Sequence, residues 1–229
     1  VVNVVAVVAT GVNAQGRREI LGVEVFTSED EAAWKAFLQS LVARGLSGVR
    51  LVISDANPGL KAAIASQLPG ASWQRCRTHF AKNLLSKVPK SAQDFVATMH
   101  RSIFTQQTAD QVYDQHRRVV EQLEARLPEA ANMLDEASEE ILAFAGFPKA
   151  HWRQIWSNNP QERINREIRR RTDVVSIFPH RGAVIRLLGA VLAEQDDEWA
   201  CTRRYMSLES ISLVHRNDSA VEEVKKLAA

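Results

Sequence analysis

Cysteine is scarce in this chain: Cys76 and Cys201 are the only two among 229 residues. Two cysteines so far apart give no disulfide framework and fit a reducing, cytoplasmic compartment. Long apolar runs are missing as well. GAVIRLLGAVLAEQ is shorter than the roughly 20 residues a spanning helix needs and contains Arg186, which excludes a membrane role for it. No Gly-rich phosphate loop, internal repeat or low-complexity tract occurs. Nor is there a large excess of one charge: 29 Lys and Arg against 27 Asp and Glu leave +2, so bulk charge does not announce a polyanion binder. The opening VVNVVAVVATG has neither a basic segment before it nor an initiator Met. It reads as a strand in a chain truncated at its N-terminus, not as a signal peptide.

The distribution of charge says more than its sum. From Ala56 to Gln93 there is no Asp or Glu, while Lys61, Arg75, Arg77, Lys82, Lys87 and Lys90 supply positive charge. From Glu121 to Glu140 the sign reverses, with seven acids against Arg126 alone. Such asymmetry predicts one side that faces a polyanion and one that faces water.

Val1 to Val12 is rich in β-branched residues, Asn13 to Gly16 supplies turn chemistry, and Arg18 to Phe26 repeats the strand pattern, so an antiparallel hairpin is expected. Ser28 is the expected cap of a helix with Trp34, Phe37, Leu38 and Leu41 on one face, closed by Gly45 and Gly48. Val49 to Ser54 is a short apolar run of the parallel-sheet kind, Pro58 opens a helix, and Ala71 to Cys76 is another short strand. From about Thr78 the pattern turns helical. Phe95, Met99 and Ile103 form one apolar series; Val112, His116, Val119, Leu123 and Leu127 form a second; Leu134, Ala137 and Ile141 form a third. The class is mixed α/β, with three segments: a core over 1–77, a helical segment over 78–157, and C-terminal helices over 158–229. The tail after Asn217 is polar and expected to be frayed or a short exposed helix.

Three constellations carry polar chemistry. Asp55 stands at the C-terminal end of an apolar strand, where open α/β sheets bind ligands, and where an Asp also caps a following helix. SNNPQERINREIRRRTDVVSIFP, from Ser157 to Pro179, packs two glutamates and five arginines into residues 162–171. At about 100° per residue, Glu162, Asn165, Arg166 and Arg169 share a polar face opposite a seam of Ile164 and Ile168, flanked by Arg163 and Arg170. Either this is a solvated helix with pairs such as Glu162 with Arg166, or it offers one carboxylate to a site while its arginines hold a polyanion. Finally, Cys76 and His79 form a Cys-x-x-His pair. A tetrahedral zinc site needs two further ligands, and no second CxxC or HxxxH is present.

VRLVISDANPGLKAAI, PGASWQRCRTHFAKNLLSKVPK, FPKAHWRQIWSNNPQERINREIRRRTDVVSIFP and GAVLAEQDDEWACTRRYMSLES occur in that order, and together they resemble the mutator-type insertion-sequence transposases of bacteria. The resemblance extends from Val1 to about Leu213. It implies a ribonuclease-H-like α/β fold with a large all-helical insertion, and an Asp-Asp-Glu catalytic triad. Asp55 matches the second aspartate and Glu162 the glutamate, which makes both the expected catalytic and metal-binding residues. Arg169 matches the basic residue that follows, and Cys76 and His79 match a family motif whose role the sequence does not disclose. The first aspartate of the family lies on a strand before the hairpin, and no Asp or Glu here precedes Glu19. The expected sheet therefore lacks its first strand, and the fragment is expected to be catalytically incomplete.

The implied activity is transposition: metal-dependent cleavage and transfer of insertion-sequence DNA strands, a DNA recombination. The implied cofactor is a pair of Mg²⁺ ions about 4 Å apart, with Mn²⁺ as substitute, held by hard carboxylate oxygens. The implied partner is double-stranded DNA, both transposon end and target, contacted by Lys82, Arg163, Asn165, Arg166, Arg169 and Arg170. A homo-oligomer is expected. A non-catalytic DNA-binding remnant is the alternative. A hydrolase of small phosphoesters is the third reading, disfavoured by the arginine helix and the missing Gly-rich loop.

Overall fold

The computed structural model describes residues 3–175 and 177–214. Its elements run β1 (Val5–Val12), β2 (Arg18–Phe26), α1 (Glu31–Ala43), β3 (Leu51–Ser54), α2 (Pro58–Gln67), β4 (Ser72–Arg75) and α3 (Arg77–Ser86). Then follow α4 (Gln93–Ile103), α5 (Ala109–Glu124), α6 (Pro128–Glu136), α7 (Ser138–Leu142), α8 (Trp152–Ile155), α9 (Asn159–Val175) and α10 (Arg181–Cys201). These gather into two compact units. One holds β1, β2, α1, α2, α9 and α10; the other holds β3, β4 and α3 to α8. The tail expected after Asn217 lies outside the described residues.

In the first unit β1 and β2 pair antiparallel, from Val5 opposite Phe26 to Val12 opposite Arg18, with a register shift that leaves Leu21 as the extra residue. The turn is set by Asn13, whose side chain accepts the backbone N–H groups of Gln15 and Arg17. β2 buries Val25 against Ile164 and Ile168 of α9 and against Val184, Leu188, Val191, Leu192 and Trp199 of α10. The helix seam read from the sequence is thus what fixes α9. α1 begins two residues later than Ser28 predicts: the cap is Asp30, whose carboxylate accepts the Ala33 N–H, while the Ser28 hydroxyl donates to Asp30. Gly45 ends α1 in the left-handed region at φ 106°, letting the Leu46 N–H reach back to the Leu41 carbonyl.

The second unit pairs β3 and β4 in parallel, Leu51 opposite Ser72 through Ser54 opposite Arg75. Gln74 of β4 is fully buried and satisfied on both ends of its amide. Its Nε2 donates to the carbonyls of Ile141 and Arg75, and its Oε1 accepts the Phe144 N–H. Around this tie lies an aromatic cluster of Phe104, Phe144, Trp152 and Trp156. The helical stripes pack largely as their spacing predicts: Val112, His116, Val119 and Leu123 are buried, as are Leu134, Ala137 and Ile141. One series is corrected. Phe95 is 52% exposed, and α4 instead buries Val96, His100 and Ile103. Steps of four drift around a helix of 3.6 residues per turn, whereas 96, 100 and 103 keep to one face.

His100 has a consequence for stability. Burial, reinforced by Arg77, His116 and Arg101, pushes its imidazole from 6.5 down to about 3. The folded protein holds it neutral while the unfolded chain protonates it below about 6.5, so stability is lost as pH falls through that window. The expected slope is about 1.4 kcal/mol per pH unit between roughly pH 6 and 3.5. A series of urea midpoints over that range should run flatter in His100→Phe, and parallel lines would rule the histidine out as the source.

Candidate functional site

The Ser54 backbone ends β3 by accepting the Cys76 N–H at 2.7 Å, and the chain then turns outward at Asp55. The Asp55 side chain is exposed and has no hydrogen-bond or ion-pair partner among the described residues. It therefore does not cap the helix that follows. A carboxylate at the C-terminal edge of a parallel pair, with its oxygens available, stands where open α/β sheets place ligand-binding groups.

On α9 the geometry follows the helical wheel. Ile164 and Ile168 are buried, Glu162 is half-buried in the first turn, and Arg163, Asn165, Arg166, Arg169 and Arg170 are exposed. The N-terminal end is tied to the hairpin by the Thr10 hydroxyl, which donates to Gln161 Oε1 at 3.1 Å. Gln161 in turn donates through Nε2 to Asn165 Oδ1 at 3.3 Å, which orients the asparagine. The anticipated pair of Glu162 with Arg166 does not form. Among the described residues the guanidinium groups of Arg163, Arg166 and Arg169 have no hydrogen-bond or ion-pair partner. At the far end of the helix the arginines are paired. There Glu167 accepts from Arg170 at 2.7 Å and from Arg171 at 2.9 Å, and Arg171 also reaches Glu194. Hydrogen bonds from those two arginines hold Glu167 down at about 2. The charge of Arg170 is thus compensated by Glu167, whereas Arg163, Arg166 and Arg169 have no such partner among the described residues.

Asp55, Cys76, His79 and Lys82 belong to the other unit. Cys76 is fully buried at the start of α3, and its sulfur accepts the Asn158 N–H at 3.5 Å. One helical step on, His79 presents a ring nitrogen within 4.8 Å of that sulfur. Lys82 is exposed, with no partner among the described residues. The basic stretch around it is less free than its composition implies. Arg77 is folded between Phe104 and Trp156, at 4.9 and 4.6 Å from their ring centres. Arg75 lies over Phe80 and pairs with Glu140, and Lys87 pairs with Glu129. The acidic run therefore meets the basic one within the same unit, which corrects the expectation of two segregated sides. A further set of arginines was not singled out by the sequence: Arg17 and Arg18 on β2's leading edge and Arg203 and Arg204 after α10. Only the doublets RR in each segment hint at them.

Among the described residues no helix is long and apolar enough to cross a membrane. The chain matches the family model described as Transposase, Mutator family, over residues 1–202. It is 56% identical over 226 residues to the transposase for insertion sequence element IS1081 of Mycobacterium tuberculosis, covering 99% of this chain and 54% of that protein. Against the transposase for IS406 of Burkholderia multivorans it is 40% identical over 208 residues, covering 90% of this chain and 54% of the relative. Against the transposase for IS256 in transposon Tn4001 of Staphylococcus aureus it is 33% identical over 205 residues, covering 88% and 52%. The chain spans about half the length of the curated relatives it matches. With the strand-end aspartate and the arginine helix falling inside the matched region, the chain belongs to the mutator family of transposases.

Proposed function

We propose that this chain is the catalytic segment of an insertion-sequence transposase, in which Asp55 and Glu162 are two of three carboxylates of a metal-dependent centre that cuts and joins DNA strands. The observation that carries the reading is the Asp55 carboxylate, exposed at the end of a parallel strand and without a partner among the described residues. Hard oxygen donors of this kind suit Mg²⁺ or Mn²⁺ and fit the pair of residues assigned here. Asp55 and Glu162 would hold such ions, which would supply charge stabilisation to the oxygens of a phosphoryl transfer. The protein's own part is positioning. Arg166 and Arg169 grip the phosphates of the scissile strand beside Glu162, Arg163 and Lys82 extend the contact, and Asn165, oriented by Gln161, lies on the same face.

In this reading the fold is ribonuclease-H-like. The antiparallel hairpin β1–β2 and the parallel pair β3–β4 supply the strands of that mixed α/β core. Helices α3 to α8 are the insertion that separates Asp55 from Glu162 along the chain. Cutting is tested on the full-length protein with a transposon-end duplex and Mg²⁺: Asp55→Asn should lose strand cleavage and keep binding. Cleavage retained in that variant removes Asp55 from the centre, and binding without cutting in the wild type leaves a DNA-binding remnant as the function. Salt tests the arginine face. Three phosphate contacts predict an affinity loss of about 40-fold when salt rises fourfold, at roughly 0.9 log unit per contact per decade. An affinity that barely moves would mean the arginines do not touch the backbone.

A further inference from the structure

The turn between β1 and β2 is clamped to the segment that follows α10. Gly16, at φ 72°, directs its carbonyl to the N–H groups of both Tyr205 and Met206, at 2.9 and 3.0 Å. The fit leaves no room for a side chain: a Cβ on Gly16 would stand 2.0 Å from the Met206 carbonyl oxygen. Arg17 is anchored on the same corner through Nη1, which donates to the Ala200 carbonyl at 2.9 Å. Arg18 lies across Trp199 and Tyr205, at 4.3 and 4.7 Å from their ring centres. The clamp creates an open, shallow depression lined by Arg17, Thr202, Arg203, Arg204, Ser207 and Leu208.

Among the described residues no acidic side chain lines this depression. Arg203 and Arg204 are exposed and make no hydrogen bond or ion pair among the described residues. Three guanidinium groups gathered by a rigid backbone repel one another, and a bound polyanion offsets that repulsion. The lining hydroxyls are turned inward: Thr202 donates to the Trp199 carbonyl, and Ser207 is bonded to Ser210. That leaves Arg203 and Arg204, with the N–H groups of Arg17 not given to Ala200, as the groups available to a ligand. The shape is too open to enclose a small anion and suits a chain of phosphates lying across it.

We infer that the Arg17–Arg203–Arg204 depression is a second DNA-backbone contact, binding phosphodiester groups of the duplex on which the Glu162 helix acts. The inference rests on the transposase reading and adds to it a surface that no catalytic assignment requires. The experiment uses the full-length protein and a transposon-end duplex, with affinity measured from 0.05 to 0.2 M salt. Arg203→Ala with Arg204→Ala should flatten the slope of log affinity against log salt by about 1.8, from roughly 0.9 per lost contact. The affinity deficit of the variant should accordingly shrink about 12-fold across that range. Thermal stability should be unchanged, and Arg203→Lys with Arg204→Lys should keep the slope, because either cation neutralises a phosphate. A slope unaltered by the alanine pair, while Arg166→Ala with Arg169→Ala flattens it, overturns this contact and leaves the transposase reading standing. Lysine substitutions as damaging as alanine would also overturn it, since charge would not be the cause. Absence of duplex binding by the wild type would bring down both.

Discussion

Glu162→Gln in the full-length protein is expected to lower strand cleavage by about a hundred- to a thousandfold, the scale of losing one electrostatic stabiliser of a transition state. The substitution keeps the shape of the side chain and removes its charge, so the effect isolates the carboxylate. The helix should not move. α9 is held by Ile164 and Ile168 in the apolar core and by the Thr10 bond to Gln161, none of which involves the Glu162 carboxylate. Binding to a transposon-end duplex should therefore persist, since Arg163, Arg166 and Arg169 remain in place. A gel-shift titration run beside a nicking assay separates the two readouts. Combining Glu162→Gln with Asp55→Asn should cost no more than either change alone, because groups that act as one unit lose their effect together. Additive losses would place the two residues in different steps, and full activity in the single variant would falsify the assignment of Glu162.

Phe144→Ala should destabilise the second unit by about 3–5 kcal/mol, the usual range for deleting a fully buried aromatic ring. Phe144 is 0% exposed, stacked on Phe104 at 5.3 Å and met edge-on by Trp152 and Trp156 at 5.2 and 5.8 Å. Its backbone cannot drift to fill the gap, because its N–H is held by the buried Gln74 amide. Losing the ring also unsupports Phe104 and Trp156, the two rings whose faces flank the Arg77 guanidinium. Urea unfolding should show the midpoint falling with little change in slope. A loss below about 1 kcal/mol would mean that the cluster repacks, and that Phe104 and the tryptophans are less constrained than their contacts imply.

Local periodicity and local caps made much of this molecule legible without a structure. The hairpin, the parallel character of Leu51–Ser54, the proline start of α2 and the Ile164–Ile168 seam of α9 each depend on neighbours a few residues away. The family, too, was written in the serial motifs around Asp55, Cys76 and Glu162. Packing over long separations was not legible. Whether an arginine is free or occupied depends on partners elsewhere in the fold: Arg77 is enclosed by Phe104 and Trp156 and Arg75 meets Glu140, while Arg166 and Arg169 stay open. Phe95 faces outward because small departures from a four-residue step accumulate along α4. Arg17 and Arg203, near opposite ends of the chain, come to one depression where Tyr205 and Met206 bond to Gly16 and Arg17 bonds to Ala200. Side-chain type and spacing set the elements; the sharing of charge among them is a long-range electrostatic outcome that only the tertiary structure decides.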